Sequence, residues 1–413
     1  MRQPGQDTAA ANALALSRLL DSQPTWIDVV PAIEILPGMT RETILHAGPP
    51  IAWSRMCGPQ RLGVLDAIRY EGLADTDAQA ADMIADGRIE IAPCHDFGTV
   101  GGMAGITSAS MPLAVVRNDH HGNLGCSQLY QGPRGRLSER SQYRDAAIAQ
   151  WRWLATTLGP ALGQAIRARG GLDVRRLCAR ALQMGDECHN RNSAGSALLL
   201  MEIAPWLLRL ELPTAVIEDC LRYLCEAEQF ALCLSMAAAK AATDAAKHVP
   251  GSTLVTTMAR NGVDFGIKLS GLGERWFTAP ANPVEGLYFS SEWSDADAVP
   301  DMGDSAIMET YGLGGHVQAA APALQQFVGG DFARGLRICE EMRRITQAEN
   351  RDYQIPNLDF GGAPTGIDAA AVVRTGITPV IDTAIAHRAG GVIGAGQTRA
   401  PLDCFASAMA SFQ

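Results

Sequence analysis

The sequence has no long apolar run. Its most continuous stretches, such as "SALLL" and "AAAKAATDAA", fall far short of the roughly 20 residues that span a bilayer, so no membrane association is expected. It has no basic stripe either. Against 34 Lys and Arg stand 44 Asp and Glu, a formal net charge of −10, which argues against nucleic acid as a partner. The N-terminal "MRQPGQDTAAANALALSRLLDSQPTW" lacks the apolar centre of a signal peptide. The ten cysteines (Cys57, Cys94, Cys126, Cys178, Cys188, Cys220, Cys225, Cys233, Cys339 and Cys404) form no CxxC pair. That is the usage of reduced thiols, and a cytoplasmic protein is expected.

Familiar catalytic signatures are also missing. The eight histidines make no HxH, HExxH or Cys/His set with ligand spacing, so no metal is expected. Without a GxSxG elbow, a serine hydrolase has no support. The glycine-rich "PCHDFGTVGGMAG" at 93–105 fits neither GxxxxGK[ST] nor GxGxxG. It is therefore not a nucleotide loop by signature, and no cofactor is expected.

What is present is an ordinary globular composition, 47% hydrophobic and 19% charged over 413 residues, long enough for two or three domains. Residues 8–21 read as an amphipathic helix, and "TWIDVVPAIEIL" reads as extended. "DTDAQAADMIADGRIEIAP" reads as a capped helix, a glycine turn and a short strand, and "MPLAVVRND" as another strand. From about 144 to 248 the apolar spacing becomes helical, ending in an alanine-rich segment that lets neighbouring elements approach closely. After "PGS" the chain returns to short strands, glycine turns and helices. "YGLGGHVQAAAPALQQFV" and "PNLDFGGAPTGIDAAAVV" both read as glycine loops feeding buried helices. The expected fold class is α+β or mixed α/β: an N-terminal α/β domain at 1–143, a mainly helical domain at 144–249 and a C-terminal α/β domain at 250–413.

One stretch stands out. "MGDECHNRNSAG" at 184–195 places Asp186, Glu187, His189, Asn190, Arg191 and Asn192 between apolar helical segments. Buried charge without a partner costs several kcal/mol, so such residues are exposed, paired or functional. His189 suits a general acid or base oriented by Asp186 or Glu187. Asn192 or Ser193 suits the cap of a following helix, whose N-terminus beside Arg191 would attract an anion. The same residues also fit a solvated turn with ordinary caps. In the glycine loop, Gly98, Gly101 and Gly102 free the backbone to turn N–H groups toward an anion or oxyanion, beside Cys94, His95 and Asp96. A tight turn between strands would read alike. Arg55, Arg117, Arg191, Arg260, Lys268, Arg275 and Arg399 sit in loop-like stretches, and two or three converging would hold a phosphate or carboxylate.

Several long blocks carry a family resemblance: "HAGPPIAWSRMCGPQ", "GMAGITSASMP", "MGDECHNRNSAG", "MARNGVDFGIKLSGLGERWFTAPANPVEGLYF", "MGDSAIMETYGLGG" and "IPNLDFGGAPTGIDAAAVVRTGI". They resemble the YlbE-like, or AllG, family, from about residue 25 to the C-terminus. The resemblance implies a subunit of an oxamate carbamoyltransferase, working with FdrA-like and AllH-like partner subunits; the size of the chain by itself leads us to expect a homo-oligomer. The implied reaction moves a carbamoyl group between oxamate and phosphate through oxalurate and carbamoyl phosphate. On that reading His189 is the acid/base, with Asp186 or Glu187 as its orienter. Arg191 and Arg55 bind the anions, with Asn190, Asn192, His95, Arg260 and Arg275 as further contacts, and the loop at 98–102 supplies N–H donors. Two other classes remain open: an amidase or ureido hydrolase using water, and a non-catalytic partner of an FdrA-like enzyme. Phosphate dependence separates the first from a transferase. Exposure of residues 186–192 away from any cleft would favour the second.

Overall fold

A computed structural model describes residues 4–132 and 143–412. The stretch 133–142, just before the expected 143/144 boundary, lies outside the described residues. The fold is α+β: strands gather into small, mostly antiparallel sheets, with helices packed against them. The first sheet has five strands in the order Thr99–Val100, Leu124–Gln128, Pro112–Asn118, Pro24–Pro31 and Leu172–Asp173. Its last strand comes from the helical block. The C-terminal part contributes a four-stranded sheet centred on Val255–Asn261 and Asp264–Leu269, and a three-stranded sheet with Val392–Arg399 in the middle.

Local sequence explains most of these elements. Thr76 and Gln79 form a capping box at the start of the helix Asp77–Ala85, satisfying N–H groups that the first turn leaves open. Asp173 caps the helix Val174–Gln183 by accepting the Arg176 N–H at 2.9 Å. The alanine-rich helix Phe230–Ala245 is buried on almost every side and packs across the strands Pro112–Asn118 and Leu124–Gln128. Small residues make that contact possible. A Cβ at Gly125 would come within 2.3 Å of the Ala237 carbonyl oxygen.

Two expected elements differ. The extended reading of "TWIDVVPAIEIL" stops at Pro31, after which Ala32–Ile35 forms one helical turn. "GGAPTGI" is not a loop but the strand Gly361–Ile367, paired with Thr346–Ile355. Its glycines serve close approach: a Cβ on Gly362 would meet the Asn350 carbonyl oxygen at 2.8 Å.

The main core crosses all three sequence blocks. It joins Trp26 and Val116 of the first sheet to Ile166, Leu198 and Leu234 of the helices, and to Tyr311 and Tyr353 of the C-terminal part. A second core lies under the four-stranded sheet, around Phe265, Phe277, Met342 and Phe405. Among the described residues no helix is long and apolar enough to cross a membrane.

Candidate functional site

The polar stretch 184–192 is the link between two helices, Val174–Gln183 and Ser193–Leu207. Gly185, at φ +95°, turns the chain out of the first helix. Cys188 also has a positive φ, 64°, a backbone state that costs a non-glycine residue free energy and is held here by its neighbours. The carboxylates in the link hold its backbone. Asp186, fully buried, accepts the Gly195 N–H at 2.8 Å and so caps the second helix. Glu187, also fully buried, accepts the backbone N–H groups of His189 (3.2 Å), Asn190 and Arg191 (3.0 Å). Burial pushes the Asp186 carboxyl up and the Glu187 carboxyl to about 7.

Asn192 occupies the cap position, but its side chain turns away from the helix. Its amide donates to the His189 carbonyl (2.7 Å) and to Gln229 Oε1 (2.8 Å). Gln229 in turn donates to the Asn190 carbonyl at 2.9 Å. The Asn190 amide reaches the carbonyls of Thr383 and Gly396, each at 3.3 Å. The link is thereby tied to the helical block on one side and to the three-stranded sheet on the other.

Neither Asp186 nor Glu187 hydrogen-bonds the His189 ring. Its Nδ1 lies 2.7 Å from Glu309 Oε1. Glu309 comes from the short helix Ile307–Thr310 and is fully buried; the same oxygen accepts the N–H groups of Gly315 (2.9 Å) and Asp382 (3.1 Å). With a proton on Nδ1 the ring donates to Glu309 and presents Nε2 as an acceptor. Gly314 makes room for the pair, since a Cβ there would sit 2.1 Å from Glu309 Oε1. Glu309 was not among the residues singled out in the sequence. The only signal for it was an acid inside the apolar "SAIMETYG".

His189, Asn190 and Arg191 line a cavity of about 670 Å³. Its walls come from all three sequence blocks: the loop Gly102–Ile106, the link and Gln229, and the strand residues Val392–Ala395. Arg191 Nε donates to the Gly185 carbonyl at 3.2 Å and stands 3.9 Å from Asp186 Oδ1. Its two terminal nitrogens have no acceptor among the described residues, and the guanidinium stands 6.0 Å from the Phe327 ring centroid. That is a fork available to a carboxylate or phosphate.

The glycine loop meets the cavity slightly later than the sequence suggested. Gly102 lines it, with Met103 and Ala104. The N–H groups of these three residues meet no acceptor among the described residues, and Gly105 N–H closes the turn onto the Gly102 carbonyl at 3.0 Å. Met103 sits at φ 54°, where such turns ordinarily place glycine. Asp304 holds the loop from behind, accepting the N–H of Gly101 (3.0 Å) and of Gly48 (2.8 Å). Burial raises its carboxyl to about 7.

The remaining sequence candidates lie elsewhere. Gly98, at φ +79°, closes a turn and accepts the Cys126 N–H. His95 is buried behind the loop, 3.6 Å from Asp304, and burial drives its imidazole toward the neutral form. Arg55 is an exposed partner of Asp264. Arg260 is fully buried in a two-pronged pair with Asp301, at 2.6 and 2.9 Å. Arg275 lies over the Phe277 ring. None of these lines the cavity. No group of three or more His, Cys, Asp or Glu among the described residues is placed to hold a metal ion.

With this geometry in place, the relatives are informative. The family model for oxamate carbamoyltransferase subunit AllG matches residues 89–305. Over 406 residues the chain is 43% identical to oxamate carbamoyltransferase subunit AllG of Escherichia coli strain K12, covering 97% of this chain and 96% of that one. The uncharacterized protein YahG of the same strain is 42% identical over 403 residues, 97% of this chain and 85% of YahG. A crystal structure of a conserved protein of unknown function from Enterococcus faecalis V583 superposes with a TM-score of 0.97 at 41% identity, covering 100% of this chain and 99% of that one.

Proposed function

Because the chain belongs to the AllG family of oxamate carbamoyltransferase subunits, we propose that its cavity carries out carbamoyl transfer between a small amide or ureido acid, such as oxamate or oxalurate, and phosphate. It does so as one subunit among partners, FdrA-like and AllH-like chains being the candidates. The observation that carries this reading is the meeting of three functions in one cavity. A carboxylate-held imidazole, an arginine whose two terminal nitrogens meet no acceptor among the described residues and a loop whose N–H groups at 102–104 meet none there either share its walls.

The chemistry asks for those three. Phosphate and oxalurate are both anions, and holding them together needs a fixed cation, which Arg191 supplies. A phosphate oxygen attacks the ureido carbon. The resulting oxyanion takes hydrogen bonds from the N–H groups of 102–104. His189 Nε2 accepts the proton of the attacking hydrogen phosphate and passes it to the departing nitrogen as the C–N bond breaks. Oxamate and carbamoyl phosphate leave, and His189 ends as it began. Glu309 stabilises the imidazolium that exists between the two transfers. Asp186 and Glu187 act through the backbone of the link, as positioning residues.

The test is oxalurate consumption by the assembled subunits, with and without phosphate. Phosphate-dependent loss with carbamoyl phosphate formed is the expected result, reduced about 10²–10⁴-fold by His189→Ala and comparably by Arg191→Ala. Wild-type turnover in both variants would remove the assignment. Turnover indifferent to phosphate would move the chemistry to hydrolysis.

A further inference from the structure

The cavity is too large and too apolar for a two-carbon acid alone. Its volume of about 670 Å³ lies in the range of roughly 300–1,000 Å³ that encloses drug-sized ligands, whereas oxamate and oxalurate would occupy a small part of it. The wall beside the polar groups is built from large hydrophobic side chains: Leu232 and Met236 from the helix Phe230–Ala245, with Phe289, Trp293 and Phe327 from the C-terminal part. Two of these aromatic rings remain well exposed, Phe289 at 64% and Phe327 at 44%. Water against such surface is unfavourable, and contiguous exposed apolar surface usually marks a place where something binds. The Phe327 ring also lies 6.0 Å from the Arg191 guanidinium, so the apolar wall begins where the anion fork ends.

Resting on the reading above, we infer that this wall is a specificity subsite for an apolar side chain. The site then takes amide, amino or ureido acids that carry an aromatic or branched hydrocarbon group. The carboxylate pairs with Arg191. The nitrogen to be carbamoylated, or the carbamoyl group already on it, lies between His189 and the N–H groups of 102–104. The hydrocarbon group displaces water from Phe289, Trp293 and Phe327. The reaction stays balanced: the acceptor nitrogen forms a bond to the carbamoyl carbon of carbamoyl phosphate, the bond from that carbon to the phosphate oxygen breaks, and His189 carries the nitrogen's proton to phosphate.

Calorimetric titration of the purified chain with N-carbamoylglycine, N-carbamoylvaline and N-carbamoylphenylalanine tests this, with oxalurate as reference. Affinity is expected to rise at least tenfold from the glycine to the phenylalanine compound. Phe289→Ala should lower the phenylalanine compound toward the glycine value and leave N-carbamoylglycine and oxalurate unchanged. Equal or falling affinity along the series, or no binding of any member, overturns the subsite. So does loss of the apolar preference when the partner subunits are added, because a partner side chain then fills the wall. A failure of the transferase reading looks different: an intact apolar series with no phosphate-dependent turnover in the assembled enzyme.

Discussion

Two buried polar regions lie on either side of the glycine loop, and they solve the problem of burial differently. Behind the loop, several cations and carboxylates are paired. Lys268 contacts Asp96 and Glu274 at 2.6 Å each, Lys240 and Lys247 share Asp244, and Arg260 grips Asp301 with two nitrogens. Behind His189, four carboxylates gather with little positive charge: Asp186, Glu187, Glu309 and Asp382, all fully buried. Burial and the neighbouring Glu187 and Glu309 carboxylates push Asp382 well up. One oxygen of Asp186, of Glu309 and of Asp382 has no hydrogen-bond partner. In the acidic region burial favours the protonated form of Asp186, Glu187 and Asp382, and the region meets the cavity through His189.

The comparison breaks most readily at Arg260. Arg260→Leu leaves Asp301 buried without its guanidinium and is expected to destabilise the fold by about 3–5 kcal/mol, read from urea denaturation. In the acidic region the larger effect should fall on turnover. Glu309→Gln is expected to lower kcat of the assembled enzyme about 100-fold while shifting the melting temperature far less than Arg260→Leu does. The reverse pattern, a collapsed fold with unchanged turnover in the soluble fraction, would make Glu309 a structural acid only.

Titration sharpens the contrast at one carboxylate of each region, Glu187 and Glu274, which move in opposite directions. Glu187 has its folded-state pKa raised to about 7, so the folded chain keeps a proton that the unfolded chain has released. Its contribution to stability therefore falls as pH rises from the ordinary glutamate range toward 7. Glu274, beside Lys247 and Lys268, is held down at about 2. Its contribution is present above the ordinary glutamate range and is lost as pH falls toward 2. Glu187→Gln should flatten the decline on the neutral side, and Glu274→Gln the decline on the acid side, both read from denaturation midpoints across pH. The smallest effect belongs to Arg55→Ala. The exposed pair with Asp264 contributes about 1 kcal/mol or less, and turnover should not change.

How far the site was legible in the sequence follows from these residues. The link at 184–192 was visible because chemically able side chains interrupted two helical patterns, and a core does not tolerate them idly. The glycine loop was visible as a run of positions free to turn, though the residues that line the cavity are 102–106 rather than 98–102. The arginines were not legible. Arg55, Arg191, Arg260 and Arg275 sit in similar glycine- and proline-rich surroundings, yet one is exposed, one faces the cavity, one is buried against Asp301 and one covers a phenylalanine ring. Glu309 stands 120 residues from His189 in the chain, beyond any local pattern.

By itself the sequence determined the α+β class, the family and two segments that line the cavity. Those depend on periodicity, turn residues and local motif, which act over a few residues. Only the tertiary structure decided that Asp186 and Glu187 hold the link while Glu309 holds His189, and that a single arginine of the four faces the cavity. Which charges meet, and which are left unmatched, is set by the packing of segments far apart in the chain.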